Sequence, residues 1–539
     1  MGFDMQTWPV DQLLGQKLML AFKGKDILPD ELLQAIRTYR PAGFSLFRAF
    51  NIEGPEQVRE LTHSLQRVAR EEGLPPFLIA VDQEGGQLMA IGEGVTPLPG
   101  NLALGATASS ELAYQAGLVL GRELSAMGIN VDFAPVCDVN INPQNPVIGT
   151  RSFGEGPRCV AKLAGAMTAG LQAGGVAATA KHFPGHGDTA SDSHHGVPLV
   201  AHTLERLLQV ELPPFQAAIQ EGVKMVMTAH LALPALSGRV DIPSTLSPQV
   251  IQGLLRKELA FEGVIVTDAM DMKAIQQGEG LGEDAVRAVS AGCDLLLLTT
   301  HPLDHQHVYK SLLQAYQNGA LDAQEVFTSA RRVSALKEWL SSQPPTPDLS
   351  VVGCSDHLAV AAEIASKSIT LVRDQAGVLP LRLEDMDRLA VIMCEPIDLT
   401  PADTSSFVQP ALARALRAHY SHVDEFLLPH SPAEQDISAV LEQIRNHQAV
   451  IIGTINAFTQ AEQTNLVRAL LDLDMPVIVV ALRMPYDLMA FPQAPTYLCT
   501  YSLLEPSMIA LSRVLSGEIQ ACGRLPVSIP GLYTYQDEP

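Results

Sequence analysis

The feature that most constrains this chain is a series of short, nearly continuous apolar runs separated by amphipathic stretches. The runs are GFSLF (43–47), PFLIAVD (76–82), INVDFAPVCDV (129–139), VAATAKHF (176–183), MVMTAH (225–230), GVIVTDA (263–269) and DLLLLTT (294–300). Between them lie helical patterns such as EQVRELTHSLQRVAREEG (56–73) and SPQVIQGLLRKELAFEG (247–263). Strands apolar on both sides and alternating with helices indicate a parallel sheet covered on both faces. Seven such runs, with an eighth weak or irregular, predict an α/β fold whose N-terminal part is a (β/α)8-type TIM barrel. Polar residues sit at the C-terminal ends of five runs: Asp82, Asp138, Lys181 with His182, His230 and Asp268. In a parallel barrel those ends converge on one face, where the loops build an active site.

The barrel pattern stops at SSQPPTPDLS (341–350), whose prolines at 344, 345 and 347 mark a linker. Beyond it, SITLVRD (368–374), LAVIMC (389–394), AVIIGTI (449–455), PVIVVALR (476–483) and TYLCTYS (496–502) predict a smaller α/β sandwich. The expected division is therefore a catalytic barrel over 1–342, a linker and connecting helix over 343–366, and an accessory domain over 367–539.

Composition narrows the function. With 36 Lys+Arg against 59 Asp+Glu, the formal net charge is -23, which disfavours nucleic acid and anionic membranes as partners. No run of about 18 apolar residues offers a spanning helix, and the first residues lack the pattern of a secretory leader. The seven cysteines are scattered singly without metal-ligand spacing, so reduced thiols and a cytoplasmic protein are expected.

The chemistry concentrates in KHFPGHGDTASDSHHGVP (181–198), which packs Lys181, His182, His186, Asp188, Asp192, His194 and His195 into one glycine-shaped loop. Three readings compete. A structural loop would carry too many ionisable groups beside a buried strand. A metal site has suitable ligand types but no paired histidines at helical spacing, and Lys181 would repel a cation. An acid–base loop fits best.

The segment K-H-F-P-G-H-G-D-T-x-x-D-S-H resembles the signature of glycoside hydrolase family 3, in its two-domain, peptidoglycan-recycling β-N-acetylglucosaminidase branch. VDQEGG (81–86), GREL-x-x-x-GINVDFAPV-x-DVN (121–140), NPVIGTRSFG (145–154) and GVIVTDAMDM (263–272) are similar to other family segments in the same order. After the linker, ITLVRD, LPL (379–381), ALRMPYDL (481–488) and GRLPVSIP (523–530) resemble the accessory domain of two-domain members.

The resemblance implies a retaining exo-acting enzyme that needs no metal or cofactor, takes an amino-sugar glycoside, and is a monomer or homodimer. It implies Asp268 as nucleophile, His194 as acid/base and Asp192, two residues earlier, as the carboxylate that orients it. An imidazole with an ordinary pKa of about 6.5 suits both proton steps. Asp82, Arg151, Lys181 and His182 are the implied sugar-binding residues; Asp138 and His230 are weaker candidates. After VDQEGG the family continues with arginines, whereas Gln87 and Ala90 stand here, so the family's aglycone preference and peptidoglycan-fragment substrate are not carried over to this chain. The alternatives are a phosphorylase on the same scaffold, because a neutral imidazole would not repel phosphate as a carboxylate would, a metal-dependent hydrolase, and a sugar-binding protein without catalysis. For the accessory domain the expectation is a scaffold or dimer surface.

Overall fold

The computed structural model describes residues 8–190 and 196–536. Eight parallel strands form the first sheet: β1 Leu18–Leu20, β2 Gly43–Ser45, β3 Leu78–Val81, β4 Val131–Asp132, β5 Ala177–Phe183, β6 Met225–Thr228, β7 Val264–Thr267 and β8 Leu296–Leu298. They are ordered β8-β1-β2-β3-β4-β5-β6-β7. A parallel bridge between Val266 and Leu295 joins the two ends, so the sheet closes as the apolar runs predicted. The eighth strand is β1, three residues long and next to a helix over Val10–Gly15.

Side chains along each strand alternate between two cores, as a pleated backbone requires. Leu78 and Ala80 of β3 pack with Met225, Met227, Val264 and Val266 inside the barrel, where Val333 and Leu336 of the helix Ala323–Ser341 also sit. Ile79 and Val81 belong instead to the outer core with the surrounding helices. The helix Pro55–Glu71 is typical: proline opens its first turn, and Val58, Leu61, Leu65 and Ala69 fall on the buried face.

After the helix Ala323–Ser341 the proline-rich stretch carries no regular element until the short turn Leu349–Val351 and the helix Ser355–Ser368. The second sheet comprises β9 Thr370–Asp374, β10 Arg388–Cys394, β11 His422–Leu428, β12 Ala449–Thr454, β13 Val477–Ala481 and β14 Thr496–Cys499. Its order is β9-β14-β13-β12-β10-β11, parallel except where β9 meets β14. Helices cover both faces: Ile437, Leu466 and Leu470 pack on one, Leu412, Met508 and Leu511 on the other.

Buried polar contacts fasten this domain to the barrel. His357 Nδ1 lies 2.8 Å from Glu123 Oε1. The Glu155 carboxylate accepts from the Ser528 amide and hydroxyl at 2.8 and 2.5 Å. No helix among the described residues is long and apolar enough to cross a membrane.

Candidate active site

At the end of β3 the chain turns into a short antiparallel hairpin, Gln83–Gly85 against Leu88–Met89. Gly86, at φ +63, makes the turn; a Cβ there would stand 2.8 Å from the Pro99 carbonyl oxygen. The hairpin presents Asp82 and Glu84 to the barrel mouth. Arg151 ends a single 3-10 turn, Gly149–Arg151. That turn is set by Asn145, whose Oδ1 accepts from the amides of Val147 and Ile148 at 3.0 and 2.8 Å. Arg151 grips Glu84 with Nε at 2.9 Å and Nη2 at 2.7 Å. Lys181, on β5, reaches Asp82 at 2.5 Å and Glu84 at 2.7 Å. Burial pushes the Glu84 carboxyl up, but Arg151 and Lys181 outweigh it and hold the group at about 2. For Asp82, burial wins over Lys181 and its carboxyl lies above the ordinary range.

His182 follows Lys181 and turns its Nδ1 to Asp138 Oδ2 at 2.7 Å, while Nε2 lies 3.4 Å from Arg151 Nη2. Burial first, then the charges of Arg151 and Lys181, push His182 well below the usual histidine value. A neutral ring donating from Nδ1 to the carboxylate and accepting at Nε2 satisfies both contacts. Asp138 also accepts from the His186 amide at 2.6 Å, which folds KHFPGHG back against the strand. Gly187 permits this approach, since a Cβ there would collide with the Val139 carbonyl.

Asp268 stands just beyond β7, half-buried, with Oδ1 accepting from the Ala269 amide at 2.8 Å. Burial alone would raise its carboxyl; the rings of His182 and His230, the Ala269 N–H and Lys181 together leave it below the ordinary aspartate value.

These groups line one cavity of about 360 Å³ at the C-terminal ends of the barrel strands. Asp82, Arg151, Lys181, His182 and Asp268 all face it, so five expected residues converge. Asp138 and His230 do not: Asp138 supports His182 from beneath, and His230 bonds Thr245 Oγ1 at 2.7 Å and the Ala269 carbonyl at 3.1 Å. His194 and Asp192 lie outside the described residues, as does His195. The segments flanking that gap are joined by His202 Nε2 and Asp188 Oδ2 at 2.6 Å. Asp188, His202 and Glu211 are the one metal-compatible group among the described residues; Arg206, 3.2 Å from Glu211, already supplies a positive charge there.

Three contributors were not singled out in the sequence. Glu84 was visible only as a letter of VDQEGG, and its partners are distant in sequence. Arg48, after β2, lines the cavity with no motif around it. The third is the segment 398–407 of the second domain: Asp398, Pro401, Ala402, Asp403, Thr404 and Phe407 complete the wall. The second domain is thus part of the site, which the scaffold expectation did not include.

Comparison with known proteins identifies the family to which this fold and sequence are similar. Residues 11–336 match the glycosyl hydrolase family 3 N-terminal domain. The chain is 31% identical to the beta-hexosaminidase A of Pseudoalteromonas piscicida, covering 96% of each sequence. It is 30% identical to the beta-N-acetylglucosaminidase/beta-glucosidase of Cellulomonas fimi over 84% of this chain and 83% of that one. Among solved structures, the family 3 beta-N-acetylglucosaminidase of Paenibacillus sp. FPU-7 superposes with a TM-score of 0.91 at 37% identity, covering 97% of this chain and 99% of that one.

Proposed function

The chain belongs to glycosyl hydrolase family 3, and we propose that it is a retaining exo-β-N-acetylglucosaminidase. It releases a terminal β-linked N-acetylglucosamine through a covalent sugar–Asp268 intermediate. The observation that carries this reading is that Asp268, its carboxyl held below the ordinary aspartate value, faces the same cavity as Asp82, Arg151, Lys181 and His182. The relatives just described are named a beta-hexosaminidase, a beta-N-acetylglucosaminidase/beta-glucosidase and a beta-N-acetylglucosaminidase, at 30–37% identity over most of their length.

In the first step Asp268 attacks the anomeric carbon while His194 gives its proton to the glycosidic oxygen, and the aglycone leaves as an alcohol. With Oδ1 held by the Ala269 N–H, Oδ2 is the attacking atom. In the second step His194 takes a proton from water, whose oxygen displaces Asp268 and restores the β configuration. Asp192 fixes the tautomer and orientation of the His194 ring. Asp82, Arg151, Lys181 and His182 bind the sugar hydroxyls. The Glu84 carboxylate holds Arg151 and Lys181 in place, so little reorganisation accompanies binding.

The test is steady-state hydrolysis of an aryl β-N-acetylglucosaminide by the wild type and Asp268→Ala, with and without inorganic phosphate. The substitution should lower kcat by at least about 10³-fold. Free N-acetylglucosamine should be the product in both buffers; sugar 1-phosphate would reveal phosphorolysis instead. Undiminished turnover by Asp268→Ala would end the proposal.

A further inference from the structure

The segment 398–407 is built as a rigid piece. Asp403, itself buried, accepts from the amides of Leu399 and Ser405 at 3.1 and 2.9 Å, and from Arg483 Nη1 at 2.7 Å. Arg483 follows β13, so the segment is anchored to its own sheet. On the barrel side Gln87 holds it. The Gln87 carbonyl accepts from the Thr404 amide and hydroxyl at 2.9 and 3.0 Å, and Gln87 Nε2 donates to the Ala402 carbonyl at 3.1 Å. Gln87 Oε1 accepts from Thr150 Oγ1 at 2.6 Å, next to Arg151. Thr404 Oγ1 in turn lies 3.1 Å from the Met89 amide. A second tie is the Arg48 guanidinium, 3.9 Å from the Phe407 ring centroid. A guanidinium at position 87 would lack any acceptor for the Thr150 hydroxyl, so an amide serves here in a way that arginine could not.

The clamp sits beside β3, whereas Asp268 follows β7. In the order β8-β1-β2-β3-β4-β5-β6-β7 these strands are four apart in either direction around the closed sheet, hence on opposite sides of the mouth. A pyranose carries C1 and C4 at opposite ends of its ring. One whose C1 meets Asp268 and whose body crosses the mouth directs its C4 end toward Asp82 and the clamped segment.

We propose that residues 398–407 are a fixed cap, clamped by Gln87 and Thr404, that makes the cavity blind beyond the sugar's 4-hydroxyl and so admits only a chain-terminal residue. The inference rests on Asp268 being the nucleophile. The Gln87 side chain is a positioning group: it acts through the Ala402 carbonyl and the Thr150 hydroxyl, whereas the Thr404 bonds go to its main-chain carbonyl and are loosened by changing Thr404.

The experiment compares kcat/KM for an aryl β-N-acetylglucosaminide and its 4-O-methyl derivative, using the wild type, Gln87→Ala and the near-isosteric Thr404→Val. Unfolding midpoints identify any variant that fails to fold. The wild type should disfavour the methylated substrate by about 50-fold or more, the scale on which closed pockets reject one added methylene. Each folded variant should narrow that ratio at least about threefold, a change that a uniform loss of rate would not produce. A wild type that cleaves both substrates alike, or variants that lose rate equally on both, would overturn the cap. A wild type inert toward the unmethylated substrate would refute the glycosidase reading itself, and the cap with it.

Discussion

Arg151 holds both carboxylate oxygens of Glu84, at 2.9 and 2.7 Å, with each side chain almost wholly out of water. Lys181 adds a second cation at 2.7 Å from the same group. Taking one partner from a buried ion cluster leaves the others uncompensated, which typically costs about 3–5 kcal/mol.

Glu84→Gln should therefore lower unfolding free energy near neutral pH by about that amount. It should also raise KM, because Arg151 and Lys181 lose their fixed positions. With the Glu84 carboxyl depressed to about 2, its stabilisation is complete above the unfolded value of about 4.3 and is lost as pH falls toward the folded one. Denaturant melts of wild type and variant should thus converge between those limits. A gap that stays constant down to pH 2 would show that Glu84 contributes no charge interaction.

The pH–rate profile should be asymmetric. Asp268 must be ionised to attack, and its carboxyl lies below the ordinary value of about 3.9. The acid limb of kcat/KM should accordingly fall below that pH. The basic limb should belong to His194 and disappear in His194→Ala with an activated aryl leaving group. His182, held neutral, should add no limb. A basic limb that persists in His194→Ala would move the proton-transfer role to another group.

At the opposite end of the barrel, Lys337 is buried with its amine 3.0 Å from Gln16 Oε1, and burial lowers it to about 7. Its unfolded value is about 10.4, so the unfolded chain binds the extra proton between these limits and stability should rise with pH there, by up to about 1.4 kcal/mol per unit. Lys337→Met should flatten that slope in urea melts across pH 7–10. An unchanged slope would show that the amine titrates normally.

The barrel was legible because its strands are apolar on both faces, and the strand ends delivered Asp82, Lys181, His182 and Asp268 to one side. β1 escaped notice because three residues, LML, carry no periodicity. β11 escaped because an edge strand alternates exposed and buried positions, as HVDEFLL does. Asp138 and His230 stood at strand ends like the cavity residues, yet they point beneath it, and apolar pattern alone does not separate those two directions. The Gln87–Thr404 clamp joins residues 317 apart. No local rule links them, so Gln87 registered only as a departure from the family's arginine.

The covalent step at Asp268 is tested most directly by trapping it. Incubation with a 5-fluoro-N-acetylglucosaminyl fluoride, then proteolysis and fragmentation mass spectrometry, reads which carboxylate carries the sugar. The expected result is a single sugar adduct on Asp268 within GVIVTDAMDMK. An adduct on Asp82 or another carboxylate, or steady turnover of the reagent with no adduct at any quench time, would contradict the mechanism.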